Sequence, residues 1–407
     1  MELPTLPREV LSVIMDEGSF SKHDLCMISL ASPHLRHEAQ RQLFCDPGRH
    51  SINVGTDADE LLTASSFLQV VISSPDRLAL MVRRYHVTLS WHDFISQKKS
   101  EQAENHNKAQ NTVFNQLSRG LPLMSNLKEL QLYTDRKHAL GSVRSRPPSI
   151  TPILKRCVLR LEVFRCSYVD DGHQDRKRIQ AFLRNQHSIQ ELWIYGIRST
   201  PFRESAMGFG VFEGICPTVL SIGGQSQIIV GMLLAERRLQ HICWGKYWRF
   251  EDHDRLKIAS TNRVELMECI GIAGPTLEEI CTTFKHLLLL RIDHTRLLEA
   301  PEMLNNLPLL GAILFVFEYD YRFNWFMRTG ERDIQRIFLN CLSLQYVEVH
   351  NWEGGRKYII NRAAQIITAY TVPSGIPLHT GERLKELRQR VAVCVGPNDI
   401  FSKSFHI

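Results

Sequence analysis

Few residues of this 407-residue chain stand at spacings that could do chemistry. The nearest thing to a phosphate cradle is Gly208-Phe209-Gly210-Val211-Phe212-Glu213-Gly214. Backbone N–H groups in such a run could face a pyrophosphate, but the third glycine comes one residue too late for the dinucleotide fingerprint and no strand pattern precedes it. A turn is the expected reading. Asp170-Asp171-Gly172-His173 has the composition of a metal loop without its spacing, so an exposed turn is expected there too. The closest pair among ten cysteines, Cys157 and Cys166, is nine residues apart, whereas zinc sites space their ligands by about two to four. The cysteines therefore read as reduced, mostly buried thiols. Seventeen histidines are dispersed, and no His-Glu-x-x-His, Walker or Gly-x-Ser-x-Gly motif occurs. The expectation is a chain with no catalytic residue, no metal and no cofactor, hence not an enzyme.

The elements that would position any site come from ordinary globular composition, 43% apolar and 23% charged residues. The net charge of +6 is spread out rather than clustered, which argues against nucleic acid as a partner. The longest apolar run, residues 228–235, is under half of the roughly 20 residues that span a bilayer. No basic n-region followed by an apolar stretch opens the chain. The expected setting is cytoplasmic or nuclear, with no membrane association.

The first fifty residues carry a local helical signal. Leu6, Val10 and Ile14 recur every four residues with Leu11 beside them, so one face is apolar. Pro7 suits a first helical position, Glu9 falls in the first turn, and Gly18 ends the segment. Ser21-Lys22-His23-Asp24 has capping-box spacing and opens a second helix through Leu25, Ile28 and Leu30. Ser32-Pro33 opens a third, with Leu35, Ala39 and Leu43-Phe44. Three helices this short cannot bury all their apolar surface among themselves.

Leu6-Pro7-x-Glu9-Val10-Leu11-x-x-Ile14, then Asp24-Leu25, Leu30-Ala31, Leu35 and Leu43-Phe44, resemble an F-box. The resemblance covers residues 4 to about 45, and the third helix lacks the Trp that many members carry. It implies a helical domain over residues 1–48 that docks on the Skp-type adaptor, and through it a cullin, of an SCF-type ubiquitin ligase. The implied adaptor-facing residues are Leu6, Pro7, Glu9, Val10, Leu11, Ile14, Asp24 and Leu25.

Residues 49–407 read as a degenerate repeat. Apolar residues at i, i+3 and i+5 recur at Leu127/Leu130/Leu132, Val158/Leu161/Val163, Ile189/Leu192/Ile194 and Pro217/Leu220/Ile222. They recur again at Leu239/Ile242/Trp244, Leu287/Leu290/Ile292, Leu310/Ile313/Phe315 and Leu344/Val347/Val349. Starts lie 22 to 48 residues apart, and the longest gap could hide one more unit near residues 277–284. Leucine-rich repeats have this strand signature at ~20–29 residues. The position that in such repeats bears Asn or Cys is filled as expected only by Cys166. Helical stripes fall between the strands, at Val113/Leu117/Leu121, Ile179/Leu183 and residues 333–342, and an earlier unit is expected from a helix at 61–72 and a strand at 85–91. The expected fold class is α/β: a short three-helix start followed by an irregular leucine-rich-repeat-like α/β solenoid. Residues 96–110 and 142–152 read as connectors. Within 344–395, a hairpin turning at Gly354-Gly355 and a helix at 382–395 would close the end.

Alternation along the strands names an outward face. It carries Tyr133, Trp193, Tyr195, Arg291, Tyr346 and His350, with Glu129, Gln131, Glu162, Phe164, Glu191, His241, Asp293 and Glu348 beside them. Aromatic residues mixed with acids suit a protein-binding surface, so these are the candidate contacts to a protein substrate. The rival expectation is a non-catalytic scaffold whose N-terminal helices only cap the repeat. A docking module should come off cleanly; a cap should not.

Overall fold

In the computed structural model the described residues are 7–53, 58–90, 101–135, 151–170, 173–198, 214–224, 226–244, 261–269, 275–293, 300–316, 330–351, 354–361, 366–372 and 402–406. The chain divides into two compact units, one reaching Glu204 and including Gly214–Thr218, the other formed from Val219 onward.

The first unit opens with helices α1 (Arg8–Glu17), α2 (Lys22–Ala31) and α3 (Pro33–Cys45). The Pro7 carbonyl accepts the N–H groups of Val10 and Leu11 at 3.1 Å, so the proline sits one position before the helix proper. The Ser21–Asp24 capping box forms in both directions. After it come β1 (Arg49–Asn53), α4 (Ala58–Ser73), α5 (Leu78–Met81), β2 (Arg84–Ser90) and α6 (Glu101–Gly120). The unit ends with β3 (Glu129–Asp135), α7 (Thr151–Leu154), β4 (Val163–Asp170), α8 (His173–Arg184) and β5 (Glu191–Arg198). The strands pair in chain order, every neighbour parallel.

The second unit repeats the logic with β6 (Ser221–Gly224), α9 (Ser226–Leu234), β7 (His241–Trp244), β8 (Leu266–Cys269), α10 (Leu277–Thr283), β9 (Leu289–Asp293), β10 (Ala312–Val316), α11 (Glu331–Asn340) and β11 (Tyr346–Asn351). These strands are parallel neighbours in chain order. Then β12 (Gly354–Asn361), β13 (Ile366–Val372) and β14 (Ser402–His406) continue antiparallel.

One backbone device recurs at the entry to β3, β4, β5 and each strand from β7 to β11: two successive N–H groups share a single carbonyl of the preceding unit. Lys128 and Glu129 donate to Arg83, Glu162 and Val163 to Lys128, and Gln190 and Glu191 to Glu162. In the second unit the acceptors are Leu220, Gln240, Glu265, Leu288 and Gly311. Each of these entry N–H pairs is thus satisfied by main chain.

Beneath most of the parallel strands lies a triple of buried residues. Leu127/Leu130/Leu132, Ile189/Leu192/Ile194, Leu239/Ile242/Trp244, Leu287/Leu290/Ile292, Leu310/Ile313/Phe315 and Leu344/Val347/Val349 fall where the spacing puts them, and Val82/Tyr85/Val87 adds the expected earlier unit. Three assignments are corrected. In β4 the triple is Leu161/Phe164/Cys166, aligned with Leu127/Leu130/Leu132 by the ladder, and Val158 lies exposed. Phe164 therefore faces the core, against Phe182 at 5.2 Å, and Cys166 is itself a core residue. In β6 the core residues are Val219 and Ile222 followed by Gly224, while Leu220 is exposed. The hidden unit is Val264/Met267/Cys269 on β8, not residues 277–284, which form α10. Two Met/Cys positions in the last triple hid the unit from a Leu-based pattern.

Further differences are local. Residues 101–110, expected as a connector, extend α6 backward from its Val113/Leu117 stripe, because Glu, Gln, Ala and Lys are good helix formers. Gly354 and Gly355, expected as the hairpin's turn, are strand residues of β12 opposite Asn351 and His350. The expected helix at 382–395, most of 142–152 and nearly all of 208–214 lie outside the described residues.

Candidate functional site

Two kinds of surface arise from this architecture. The first is helical. Met15, Leu25 and Ala39, supported by Ile28 and Leu43, form a small core among α1, α2 and α3. Arg41 on α3 locks α1 in place, reaching Asp16 at 2.6 Å and Ser12 at 3.1 Å while also pairing Glu38 at 2.7 Å. With those side chains used inward, an apolar stripe of α1 is left in water: Val10, Val13 and Ile14 are 42%, 54% and 46% exposed. On α2 and the turn before it Leu30, Met27 and Phe20 are also exposed.

Of the expected adaptor-facing residues, Pro7, Glu9, Val10 and Ile14 are exposed and Leu11 is half-buried. The structure corrects the role of Leu25, which fills the inter-helix core. Asp24 is exposed, but its carboxylate is occupied by the Ser21 N–H at 2.9 Å and hydroxyl at 2.6 Å, bonds that lower its pKa. Leu6 lies outside the described residues.

Helix α3 is fastened to the first strand–helix units. Phe44 stacks on Phe67 of α4 at 5.7 Å, Arg77 donates to the Gln40 amide oxygen at 2.6 Å, and the Arg83 N–H donates to the Cys45 carbonyl at 3.0 Å. Removal of residues 1–45 would therefore strip part of the first unit's packing, whatever the helices dock onto.

The second surface is the sheet face opposite the buried triples. In the first unit Arg165 pairs with Glu191 at 2.6 and 2.7 Å and lies 5.5 Å from the Trp193 ring centroid, with Tyr195 6.2 Å further on. Trp193 was expected outward and does point to this face, yet only 7% of it is exposed. Arg165 lies over its ring and Tyr195 sits beside it. Tyr133 and Tyr195 are half-buried. Glu129 accepts from Gln131 at 2.6 Å and sits 2.9 Å from His86 Nε2. Burial opposes its charge, but the bonds from His86 and Gln131 prevail and hold the carboxyl down at about 2.

In the second unit the same face is polar along one row and apolar along another. Arg291 is 7% exposed and donates to Glu268 at 2.6 Å. Glu268 is nearly buried, which alone would raise its pKa; the His241 hydrogen bond and the Arg291 charge reverse that and bring it to about 2. Tyr346 donates its hydroxyl to Glu348 and packs with Leu266, Leu289, Ala312 and Leu314. Arg291 and Tyr346, expected as exposed contacts, are therefore interior to this face. Each is pulled in by its cross-strand neighbour: Glu268 stands opposite Arg291, and Ala312 opposite Tyr346. His350 belongs to β11, and its side chain lies outside the described residues. Glu268 escaped the sequence reading because its strand did.

Among the described residues no group of His, Cys, Asp and Glu could hold a metal ion, and no helix is long and apolar enough to cross a membrane. The chain matches no known protein-family model and no curated protein.

Proposed function

We propose that the chain is a substrate receptor of an SCF-type cullin-RING ubiquitin ligase, with α1 and α2 docking on a Skp-type adaptor and the strand-ordered remainder, read as an α/β solenoid, holding a protein substrate. The observation that supports this most is the exposed stripe of Val10, Val13 and Ile14 on a three-helix unit that already has its own core. A helix serving only as a lid would turn those side chains toward the strands it covers. Burying a Val or Ile side chain is worth about 1.5–3 kcal/mol, so a stripe left in water is a standing cost that a partner would relieve. In this reading α3 holds the module to the first repeat and α1 and α2 present it. The chain does no ubiquitin chemistry; it raises the local concentration of its substrate near the loaded enzyme.

A specific feature favours the rival, that the helices cap the repeat: the α3 contacts through Phe44, Gln40 and Cys45. The two readings separate on surface variants rather than on a deletion. V10D/I14D changes exposed residues and should leave the fold intact. Co-purification of the full chain with a Skp-type adaptor, lost in V10D/I14D, is the receptor's result. No complex with the wild-type chain refutes it.

A further inference from the structure

The polar row on the sheet face of the second unit is a hydrogen-bonded chain that crosses four strands. Ser221 on β6 stands directly opposite His241 on β7. His241 is itself opposite Leu266, and its imidazole leans along the strands to reach Glu268, two residues further on β8. Ser221 Oγ lies 2.8 Å from His241 Nδ1, and His241 Nε2 lies 2.9 Å from Glu268 Oε1. Arg291 closes the row by donating to Glu268 Oε2 at 2.6 Å. His241 is buried and Ser221 is half-buried, so the series runs from a reachable hydroxyl inward to a sequestered carboxylate.

The proton positions follow from what each group can do. An ionised carboxylate only accepts, so the ring proton sits on Nε2 and is donated to Glu268. In the neutral ring Nδ1 then presents its lone pair to the serine hydroxyl. Nucleophile, base and orienting acid stand in the order that activates a serine, with the two ring nitrogens used in the reverse of the serine-protease arrangement. Positions flanking the serine's row are apolar, Leu266 and Leu289 being buried on the same face, which favours an uncharged acyl group.

We propose that Ser221 is an activated nucleophile, with His241 as its general base and Glu268 as a positioning residue, acting on small uncharged carboxylic esters. Ser221 Oγ bonds to the carbonyl carbon as its proton passes to Nδ1. The tetrahedral adduct then breaks its bond to the alkoxide, which leaves with that proton as the alcohol. Water, deprotonated by the same nitrogen, releases the acid and restores the serine. The net change is ester plus water to acid plus alcohol, with no redox partner. This reading is independent of the adaptor-docking one.

The test uses the full chain and a fluorophosphonate probe, whose phosphorus takes the serine oxygen as fluoride leaves. Modification at Ser221, read by peptide mass, should run roughly 100- to 10,000-fold faster than for an unassisted serine, the usual yield of a general base. It should vanish in S221A and fall comparably in H241Q. E268D, which keeps a carboxylate, should retain more of the rate than E268Q, a ranking that packing alone would not impose. Wild-type chain left unmodified at Ser221 after prolonged incubation overturns the proposal, as does a labelling rate that folded H241Q leaves unchanged.

Discussion

Replacing Glu268 by Gln keeps the shape of the side chain and removes its charge. A carboxyl held at about 2 instead of 4.5 corresponds to roughly 3 kcal/mol of native-state stabilisation. Its side chain is 13% exposed, so solvent screens little of this. Gln can still accept one hydrogen bond, but Arg291 then loses its counter-charge, and a broken buried pair costs about 3–5 kcal/mol. An expected loss of about 2–3 kcal/mol follows. Trp244, fully buried on the neighbouring strand β7 and edge-on to Phe284 at 6.4 Å, is a natural reporter. With a urea m-value of about 2–3 kcal/mol/M, its fluorescence transition should move down by about 1 M. The folded pKa lies below the unfolded one, so the charge contributes fully above about pH 4.5 and is lost as pH falls to about 2. The gap between wild type and variant should therefore be constant from about pH 5 upward and close below it. A midpoint shift under about 0.3 M, or a gap that widens in acid, would refute the reasoning.

Other outcomes rest on the same geometry. His50, buried against Phe67 and Tyr85 and near the Lys22 charge, is held at about 4; because that lies below its unfolded value, stability should fall by about 3 kcal/mol as pH drops from about 6.5 to 4. H50F should flatten that part of the stability–pH curve, and an unchanged slope would contradict it. Burial raises the thiols of Cys157 and Cys281 to about 12 and pushes Cys166 higher still, whereas Cys26 is exposed. A thiol reagent at pH 8 should modify Cys26 before Cys157, Cys166 or Cys281, and early reaction at Cys166 would show the core assignment wrong. Leu25→Ala should cost about 2–4 kcal/mol and open α1 and α2 to limited proteolysis before β2–β5, so an unaltered cleavage pattern would count against a separate three-helix core.

Repetition made the fold legible in the sequence. Leucine and isoleucine triples located most core strands because their i, i+3, i+5 spacing is imposed by one turn entering one strand. The pattern failed where composition drifted: Val264/Met267/Cys269 holds the same positions without a leucine, and Val158 mimicked a core residue three places early. Capping at Ser21–Asp24 was readable because it needs only four neighbouring residues. The face opposite the triples was read in direction but not in exposure. Trp193, Arg291 and Tyr346 point where alternation puts them, yet cross-strand partners cover them, and those partners lie 20 to 35 residues away in the chain. The Ser221–His241–Glu268 series has no sequence signal at all, since its spacing is set by repeat length and register rather than by a motif.

The central claim is that α1 and α2 present a docking stripe, and the affinity of the full chain for a purified Skp-type adaptor tests it most directly. Titration calorimetry should give a saturable 1:1 complex whose Kd rises at least about 30-fold in V10D/I14D, the effect of losing about 2 kcal/mol at an interface hot spot, with the melting temperature unchanged. Absence of heat with the wild-type chain, or equal affinity in the variant, would contradict it.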